Sequence, residues 1–577
     1  MPSGSDRSPV RTRAGLGAQA AAEARASARG RRLRVRAGSL LPARGERLLP
    51  LLSGLLLVLS FPPFELLVPP FVALVPFLVF LADRPTGPGG RWSAIRGGYL
   101  LGLVYFGLLL YWLIVALIYY TPLAVLAWLV SVVVLAGFVA LFGAGVVWAR
   151  ERAPAVPLAL AVALFWTTLE WVQGHLGDLS FPWLGLGTAL SGFPRVAGAA
   201  DLVGARGLTF WLVLVNGLVA STIVAARRQR SPLRPAILAL LAIAIPVGYG
   251  FWRAATLPLR PVARVAVVQP DIPEDVKLDV TRALDSSMVA LTNLTRRIPP
   301  GSVDLVVWPE VAVQSLVDAP TPRQTALRGS IQRLARDIRA PILVGMYGYS
   351  LASGDTAITY YNAARVMTPG GFRGPEYDKQ YLVPIVERVP FIDPRWLEHV
   401  TGPLRWFGGL GRGPHSELLP AGNANAGIGT LICYESIFAP LSRTYRREGA
   451  AFLVNMTNDS WYGREEIWAR TSALWQHPAH LVMRAIENRV GVARAANTGI
   501  SMFVDPVGRT YQQTRLFVPD VRSAIVYTTG VTTVFTRLGD WLAELAVAGS
   551  VLLLATCWVR GRRGRTAFTT ESTASTE

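Results

Sequence analysis

The sequence predicts a polytopic α-helical membrane bundle of eight transmembrane helices joined to one extracytoplasmic α/β domain. Three observations carry that prediction. Hydrophobic residues make up 51% of the 577 positions and the mean hydropathy is +0.37, which is too apolar for a water-soluble chain of this size. Apolar runs approaching the roughly 20 residues that span a bilayer recur from Leu48 to Trp252, with one more near the C-terminus. Between them, short valine- and isoleucine-rich runs alternate with turn signals and helix-like stretches, as in an α/β domain with a buried sheet.

Residues 1–46 are rich in Arg, Ala, Gly and Ser and cannot bury enough apolar surface to fold alone, so they read as a disordered basic cytoplasmic tail. Their acid-poor character also suits a transit peptide, but they lead directly into a membrane segment. Residues 47–253 hold seven expected spans: Leu48–Phe64, Leu66–Ala82, Gly97–Tyr120, Leu123–Ala149, Val156–Gln173, Leu208–Ala226 and Pro235–Trp252. The first two are short and contain proline. Residues 254–537 form the α/β domain, 538–560 the eighth helix, and 561–577 a second cytoplasmic tail.

Orientation follows from charge. The net charge of +20 suggests nucleic acid at first, yet seventeen of the twenty lie in the two tails and in short loops at 83–96, 149–155 and 227–234. Arginine beside helix ends stays on the cytoplasmic face, so both termini are expected inside and the α/β domain outside the membrane. The pattern is a topology signal, and no nucleic-acid partner is expected. Two cysteines, Cys433 and Cys557, give neither a disulfide framework nor metal-ligand spacing.

Within the domain, strands are expected at Arg264–Gln269, Asp304–Trp308, Pro341–Gly345, Gly427–Cys433, Ala451–Met456, Val490–Ala495 and Ile500–Val504. Helices are expected at Pro322–Arg339 and Ala473–Asn488. Three ionisable residues stand at the ends of apolar or aromatic runs. Glu310 closes Val306-Val307-Trp308-Pro309-Glu310, Lys379 lies in Tyr377-Asp378-Lys379-Gln380-Tyr381, and Cys433 follows Gly429-Thr430-Leu431-Ile432. A thiol at the end of a β-branched run, followed by a polar turn, is how a strand delivers a nucleophile to a sheet edge. Taken singly, each has a plain alternative: a solvated glutamate, a surface ion pair, a core cysteine.

Trp-Pro-Glu, then Asp-Lys-Gln-Tyr-Leu-Val-Pro, then Ile-Cys-Tyr-Glu, in this order, resembles the nitrilase or carbon-nitrogen hydrolase superfamily. Attached to these membrane segments, it is similar to the apolipoprotein N-acyltransferase family. Further matching stretches are Glu170-Trp171, Phe181-Pro182-Trp183, Asn458-Asp459-Ser460-Trp461-Tyr462-Gly463 and Gln476-His477. The resemblance implies an α-β-β-α sandwich. It also implies transfer of an acyl chain from a membrane phospholipid, through a Cys433 thioester, to the α-amino group of an S-diacylglyceryl cysteine at the N-terminus of an apolipoprotein. Glu310 would take the thiol proton, its own pKa raised by burial, and Lys379 would face the oxyanion together with the N–H of Tyr434.

Glu387, Tyr434, Glu435 and Trp461 are implied as supporting residues, and no metal or other cofactor is required. The protein is expected to act as a monomer in the lipid bilayer. His477 reads as a cap or packing residue. The apolar loop containing Trp406 and Phe407 is a candidate lid dipping into lipid, with ordinary packing as the alternative. Two departures from the family pattern stand out: Val386 replaces a glycine before Glu387, and Lys277-Leu278 replaces an aromatic residue. A membrane-tethered amidase of the same superfamily, with water resolving the acyl-enzyme, is the alternative activity.

Overall fold

The computed structural model describes residues 42–118, 121–278, 280–351, 358–392, 409–422 and 426–574. Most of the N-terminal tail, and Trp406 and Phe407 of the expected lid, lie outside the described residues. So do the side chains of Lys277 and Leu278.

Among the described residues five helices are long and apolar enough to cross a membrane. They are α3 (Pro88–Leu109), α4 (Ala124–Arg152), α6 (Ala200–Arg227), α7 (Leu233–Thr256) and α12 (Trp541–Ala574). Three shorter apolar helices accompany them: α1 (Leu48–Ser60), α2 (Val75–Ala82, after a turn at Pro69–Val72) and α5 (Leu158–Gln173). Several bounds differ from expectation. Helix α3 starts at Pro88 rather than Gly97, because Gly87 at φ 96° ends the preceding turn and a proline at the first helical position needs no hydrogen-bonded N–H. Helix α6 reaches back to Ala200 across a break at Gly204, whose φ of 72° suits glycine. A Cβ there would also sit 2.7 Å from the Phe535 ring.

The α/β domain is two facing six-stranded sheets. The first contains β1 (Arg260–Gln269), β2 (Leu305–Val307), β3 (Ile342–Leu351), β4 (Ile358–Thr368), β5 (Gly371–Asp378) and β12 (Asp520–Thr528), in the order β12-β1-β2-β3-β4-β5. The second contains β6 (Leu419–Pro420), β7 (Gly427–Ile432), β8 (Phe452–Thr457), β9 (Val492–Ala496), β10 (Met502–Val504) and β11 (Thr510–Tyr511), in the order β11-β10-β9-β8-β7-β6. Among the described strands, those that pair in parallel are the inner ones, β1-β2-β3 and β7-β8-β9. The parallel-paired segments of these strands are buried on both faces, which explains their continuous apolar runs.

Helices α8 (Val280–Thr295) and α9 (Pro322–Asp337) pack on the outer face of the first sheet, where Leu291, Leu334 and Ile331 meet Val306, Ile342 and Val344. Helices α10 (Ala439–Arg447) and α11 (Ala473–Asn488) cover the second. The result is an α-β-β-α sandwich, with Val265, Val307, Leu343, Leu431 and Val454 among the residues of the core that includes the space between the sheets.

Strands β4, β5 and β12, and the two-residue strands β6 and β11, were not expected. Strand β4 carries Asn362 and Arg365, β5 is an edge strand interrupted by Gly374 and Pro375, and β12 alternates its burial. Such strands lack the continuous apolar run that betrays a buried one.

Candidate active site

Cys433 sits at the C-terminal end of β7, an inner strand of its sheet. The strand ends at Ile432 and Cys433 opens a 3-10 turn, Cys433–Ile437. Its φ is +50°, a left-handed conformation that costs a non-glycine residue of order 1–3 kcal/mol and must be held by its surroundings. The holding contacts are visible. His477 Nε2 lies 3.1 Å from the Cys433 carbonyl oxygen and 3.0 Å from Ser436 Oγ. His477 Nδ1 lies 3.0 Å from Asp459, whose other oxygen accepts from Arg494 at 2.5 Å. His477, Asp459 and Arg494 are all fully buried. The cap or packing reading of His477 therefore gives way to membership of a buried charged network that grips the turn.

Glu310 follows β2 and is brought inward because β3 offers no side chain at Gly345. A Cβ at that position would lie 2.2 Å from the Pro309 carbonyl oxygen and 3.1 Å from Glu310 Cα. Lys379 follows β5, and its N–H donates to the Asn362 carbonyl at 2.9 Å. Its ammonium donates to Glu310 Oε1 at 3.0 Å and to Glu387 Oε1 at 2.8 Å. Asn362 Nδ2 donates to the same two oxygens, at 2.8 and 3.0 Å. The free oxygens are also satisfied, since Asn458 N–H donates to Glu310 Oε2 at 2.9 Å and Val383 N–H to Glu387 Oε2 at 2.7 Å. Asn362 was not singled out from sequence; an amide in a strand carries no motif, and only the pairing of β4 with β5 sets it beside Lys379.

Electrostatics follow from this geometry. Burial alone would push the Glu310 carboxyl up, but the Lys379 ammonium and the amide donors outweigh it and hold it below the usual carboxylate range. That reverses the expectation that burial would raise it. Burial likewise disfavours the Lys379 charge, yet Glu310 and Glu387 keep it protonated well above the ordinary lysine value. Burial, then the negative charge of Glu310, pushes the Cys433 thiol far up against a smaller pull from Lys379. The resting cluster is thus carboxylate, ammonium and thiol.

Glu435 does not touch Lys379 in the hydrogen-bond network. Its carboxylate accepts from Ile432 N–H (2.7 Å), Tyr377 OH (2.7 Å), Gln380 N–H (2.6 Å) and Tyr381 N–H (3.2 Å), tying the lysine loop to the cysteine turn. Burial pushes its pKa up to about 7 despite these donors. Tyr434 is buried and donates its hydroxyl to the Ser180 carbonyl, just beyond α5, at 2.8 Å. Trp461 is half-buried on the turn Asp459–Tyr462. Val386, in place of a glycine, is accommodated because the left-handed residue of its loop is Ile385 (φ 71°) and Val386 itself is packed inside.

The site leans on the helical bundle. Trp183 stacks on His477 with ring centroids 5.5 Å apart and donates its indole N–H to Gln476 at 2.8 Å. Glu487 accepts from the N–H of Ala205, next to the Gly204 break, at 2.8 Å, and Arg489 donates to Asp201 at 2.9 Å. Among the described residues no group of three or more His, Cys, Asp or Glu is arranged to hold a metal ion.

A two-sheet sandwich with a Glu-Lys cluster facing a strand-end cysteine, carried on apolar helices, defines a membrane-borne protein of the carbon-nitrogen hydrolase class. Residues 264–526 match the family model described as Carbon-nitrogen hydrolase. Residues 53–218 match the Apolipoprotein N-acyltransferase N-terminal domain. The chain is 32% identical over 544 residues to the apolipoprotein N-acyltransferase of Geobacter metallireducens, covering 92% of this chain and 98% of that one. It is 31% identical over 533 residues to the enzyme of the same name from Chlorobaculum tepidum, covering 88% and 96%. The chain belongs to the apolipoprotein N-acyltransferase family.

Proposed function

We propose that the protein transfers a fatty acyl chain from a membrane phospholipid to the α-amino group of the N-terminal S-diacylglyceryl cysteine of apolipoproteins, through a thioester on Cys433. The observation that carries this is the burial of Cys433, Glu310 and Lys379 together at the face where the sandwich meets the helical bundle. Substrates on both sides of the reaction carry lipid chains, and the family named above favours transfer over hydrolysis.

In this reading the Cys433 thiol is too weak an acid to ionise beforehand, so its proton passes to Glu310 as sulfur attacks the ester carbonyl. Lys379, held protonated by Glu310 and Glu387, faces the developing oxyanion, and the backbone N–H of Tyr434 is the second donor. Collapse of the intermediate, with Glu310 passing the proton to the leaving oxygen, expels the lysophospholipid as an alcohol and leaves the thioester. The acceptor amine then attacks, losing a proton to the site, and forms the amide while the thiol is regenerated. Glu387 positions Lys379, and Glu435 positions the loop that bears it.

The test is to incubate purified protein with phospholipid labelled in its acyl chain. A hydroxylamine-labile label on Cys433, discharged to a diacylglyceryl lipopeptide, is the expected result. Release as free fatty acid with the lipopeptide present would instead indicate a membrane-tethered amidase. The rate should also fall as the pH drops below about 7, because a protonated Glu435 loses part of its grip on the Ile432 and Gln380 amides. A pH profile flat down to about 4.5, the ordinary glutamate range, would count against that role.

We further infer eight crossings, with both termini cytoplasmic, residues 254–537 as the extracytoplasmic unit, and a monomer in a bacterial inner membrane. The three short helices supply the remaining crossings, aided by the basic loops on one side. A reporter fused near Pro420 should be active only outside the cytoplasm; cytoplasmic activity alone would overturn this topology.

A further inference from the structure

The chain that leaves α5 passes from the bundle to the sandwich through the turn Gly177–Leu179. Ser180 and Trp183, just beyond it, meet Tyr434 and His477 on the cysteine side of the site. Asp178, on the turn itself, reaches toward the lysine side. Its Oδ2 accepts from the Phe391 N–H at 3.1 Å and its Oδ1 from Arg412 Nη2 at 2.6 Å. Arg388 Nε lies 3.9 Å from Oδ2. The Phe391 N–H, aided by Arg412 and Arg388, holds the Asp178 carboxyl below the usual carboxylate range against the effect of burial.

These partners stand on the two segments that place Glu387 and Lys379. Glu387 and Phe391 share one loop, in which the Glu387 N–H donates to the Val383 carbonyl at 3.0 Å and the Ile385 N–H to the Arg388 carbonyl at 2.8 Å. Arg412 lies in the other segment. There the Leu410 N–H donates to the Glu387 carbonyl and the Gly413 N–H to the Lys379 carbonyl, both at 2.9 Å, while the Gly411 N–H donates to the Tyr360 carbonyl of β4 at 2.7 Å. One carboxylate from the bundle therefore grips both backbones from which the 2.8 Å pair of Lys379 and Glu387 is built.

The pair with Arg412 is half-exposed, and such pairs contribute little by themselves. The contact with Phe391 is different in kind. Phe391 has a φ of +61°, a left-handed conformation that a non-glycine residue keeps only where its surroundings hold it. Its side chain is 74% exposed, so the hydrogen bond to Asp178, rather than packing, supplies that hold. Ile385, on the other side of Glu387, is left-handed as well, so the loop would relax if released.

We infer that Asp178 is a positioning residue for acyl transfer: through Phe391 and Arg412 it keeps Glu387 and Lys379 in register. The inference rests on the thioester chemistry proposed above. It makes part of the lysine's placement a property of the helical bundle, in a residue that touches neither substrate nor thiol.

The test uses the full-length protein in detergent. Acyl-labelled phospholipid gives the rate of Cys433 thioester formation in one turnover, and hydrogen exchange follows segments 383–392 and 409–413. Asp178→Ala should slow the reaction about tenfold at saturating phospholipid, leave the half-saturating concentration unchanged, and speed exchange in both segments. Asp178→Asn, which keeps an acceptor for the Phe391 N–H, should recover about threefold of that loss. In a Glu387→Gln protein, whose lysine has already lost that carboxylate, removing Asp178 should cost less than about twofold more. Costs that multiply in full, or a normal rate with faster exchange, would overturn the inference. So would unchanged exchange in Asp178→Ala, whatever the label shows. Absence of label on wild-type Cys433 would remove the thioester reading and this inference with it, and is told apart from the other failures because the wild type itself is silent.

Discussion

Lys379→Met is expected to slow formation of the Cys433 thioester by about a thousandfold and to destabilise the protein at the same time. The rate loss follows from removing a preorganised cation at the oxyanion, typically worth about 10²–10³, with a further loss from the disturbed base. The stability loss follows from the geometry: one ammonium lies within 3.0 Å of two carboxylates, Glu310 and Glu387, in a fully buried site. Breaking such a pair from one side costs about 3–5 kcal/mol, because it strands a buried charge. Here the two carboxylates would be left sharing only Asn362, and one of them would take up a proton. Adding Glu387→Gln should restore much of the stability without restoring the rate. Measuring labelled thioester formation beside the unfolding midpoint separates the two effects. A Lys379→Met protein of near-normal rate would remove the lysine from the mechanism.

Asp459→Asn should be the most damaging change outside that cluster. Asp459 accepts from Thr457 Oγ1 at 2.9 Å, pairs with His477 Nδ1 at 3.0 Å and meets Arg494 at 2.5 Å, with no exposure to solvent. Burial works against its charge, but Arg494 and His477 prevail and hold the carboxyl well below its usual range. The neutral amide would leave a buried guanidinium without its counter-ion, a loss of about 3–5 kcal/mol at neutral pH.

The pH dependence has a definite sign. A carboxyl depressed in the folded state stabilises the fold fully above its unfolded pKa, near 3.9, and loses that contribution as the pH falls toward the folded value. The difference in stability between wild type and Asp459→Asn should therefore be constant above about pH 5 and shrink below about pH 4. A difference that stayed constant to pH 2 would show that the carboxylate is not what the network depends on. Thioester formation should fall as well, since His477 is the contact that holds the Cys433 carbonyl in its left-handed turn.

Much of this molecule was legible in the sequence because its features are local. Apolar runs of bilayer length, arginines beside them, and inner strands buried on both faces each leave a continuous pattern along the chain. Glu310, Lys379 and Cys433 each follow such a run or lie in a motif, so their order and neighbours could be read directly. Strand β12 escaped because alternating burial dilutes the apolar signal, and β4 because Tyr360, Tyr361, Asn362 and Arg365 interrupt its apolar run.

What only the tertiary structure decided is how charges are shared. Asn362 bridges Glu310 and Glu387 from 52 and 25 positions away, and His477 reaches the Cys433 carbonyl across 44. No spacing rule encodes such contacts. The direction of the Glu310 pKa was fixed in the same way. Burial, which a strand-end glutamate suggests, raises it, but the fold brings in Lys379 at 3.0 Å and the nearby ammonium wins. The sequence by itself determined which groups are present and which elements carry them. Three-dimensional packing determined which charge each one meets, and therefore which proton it holds.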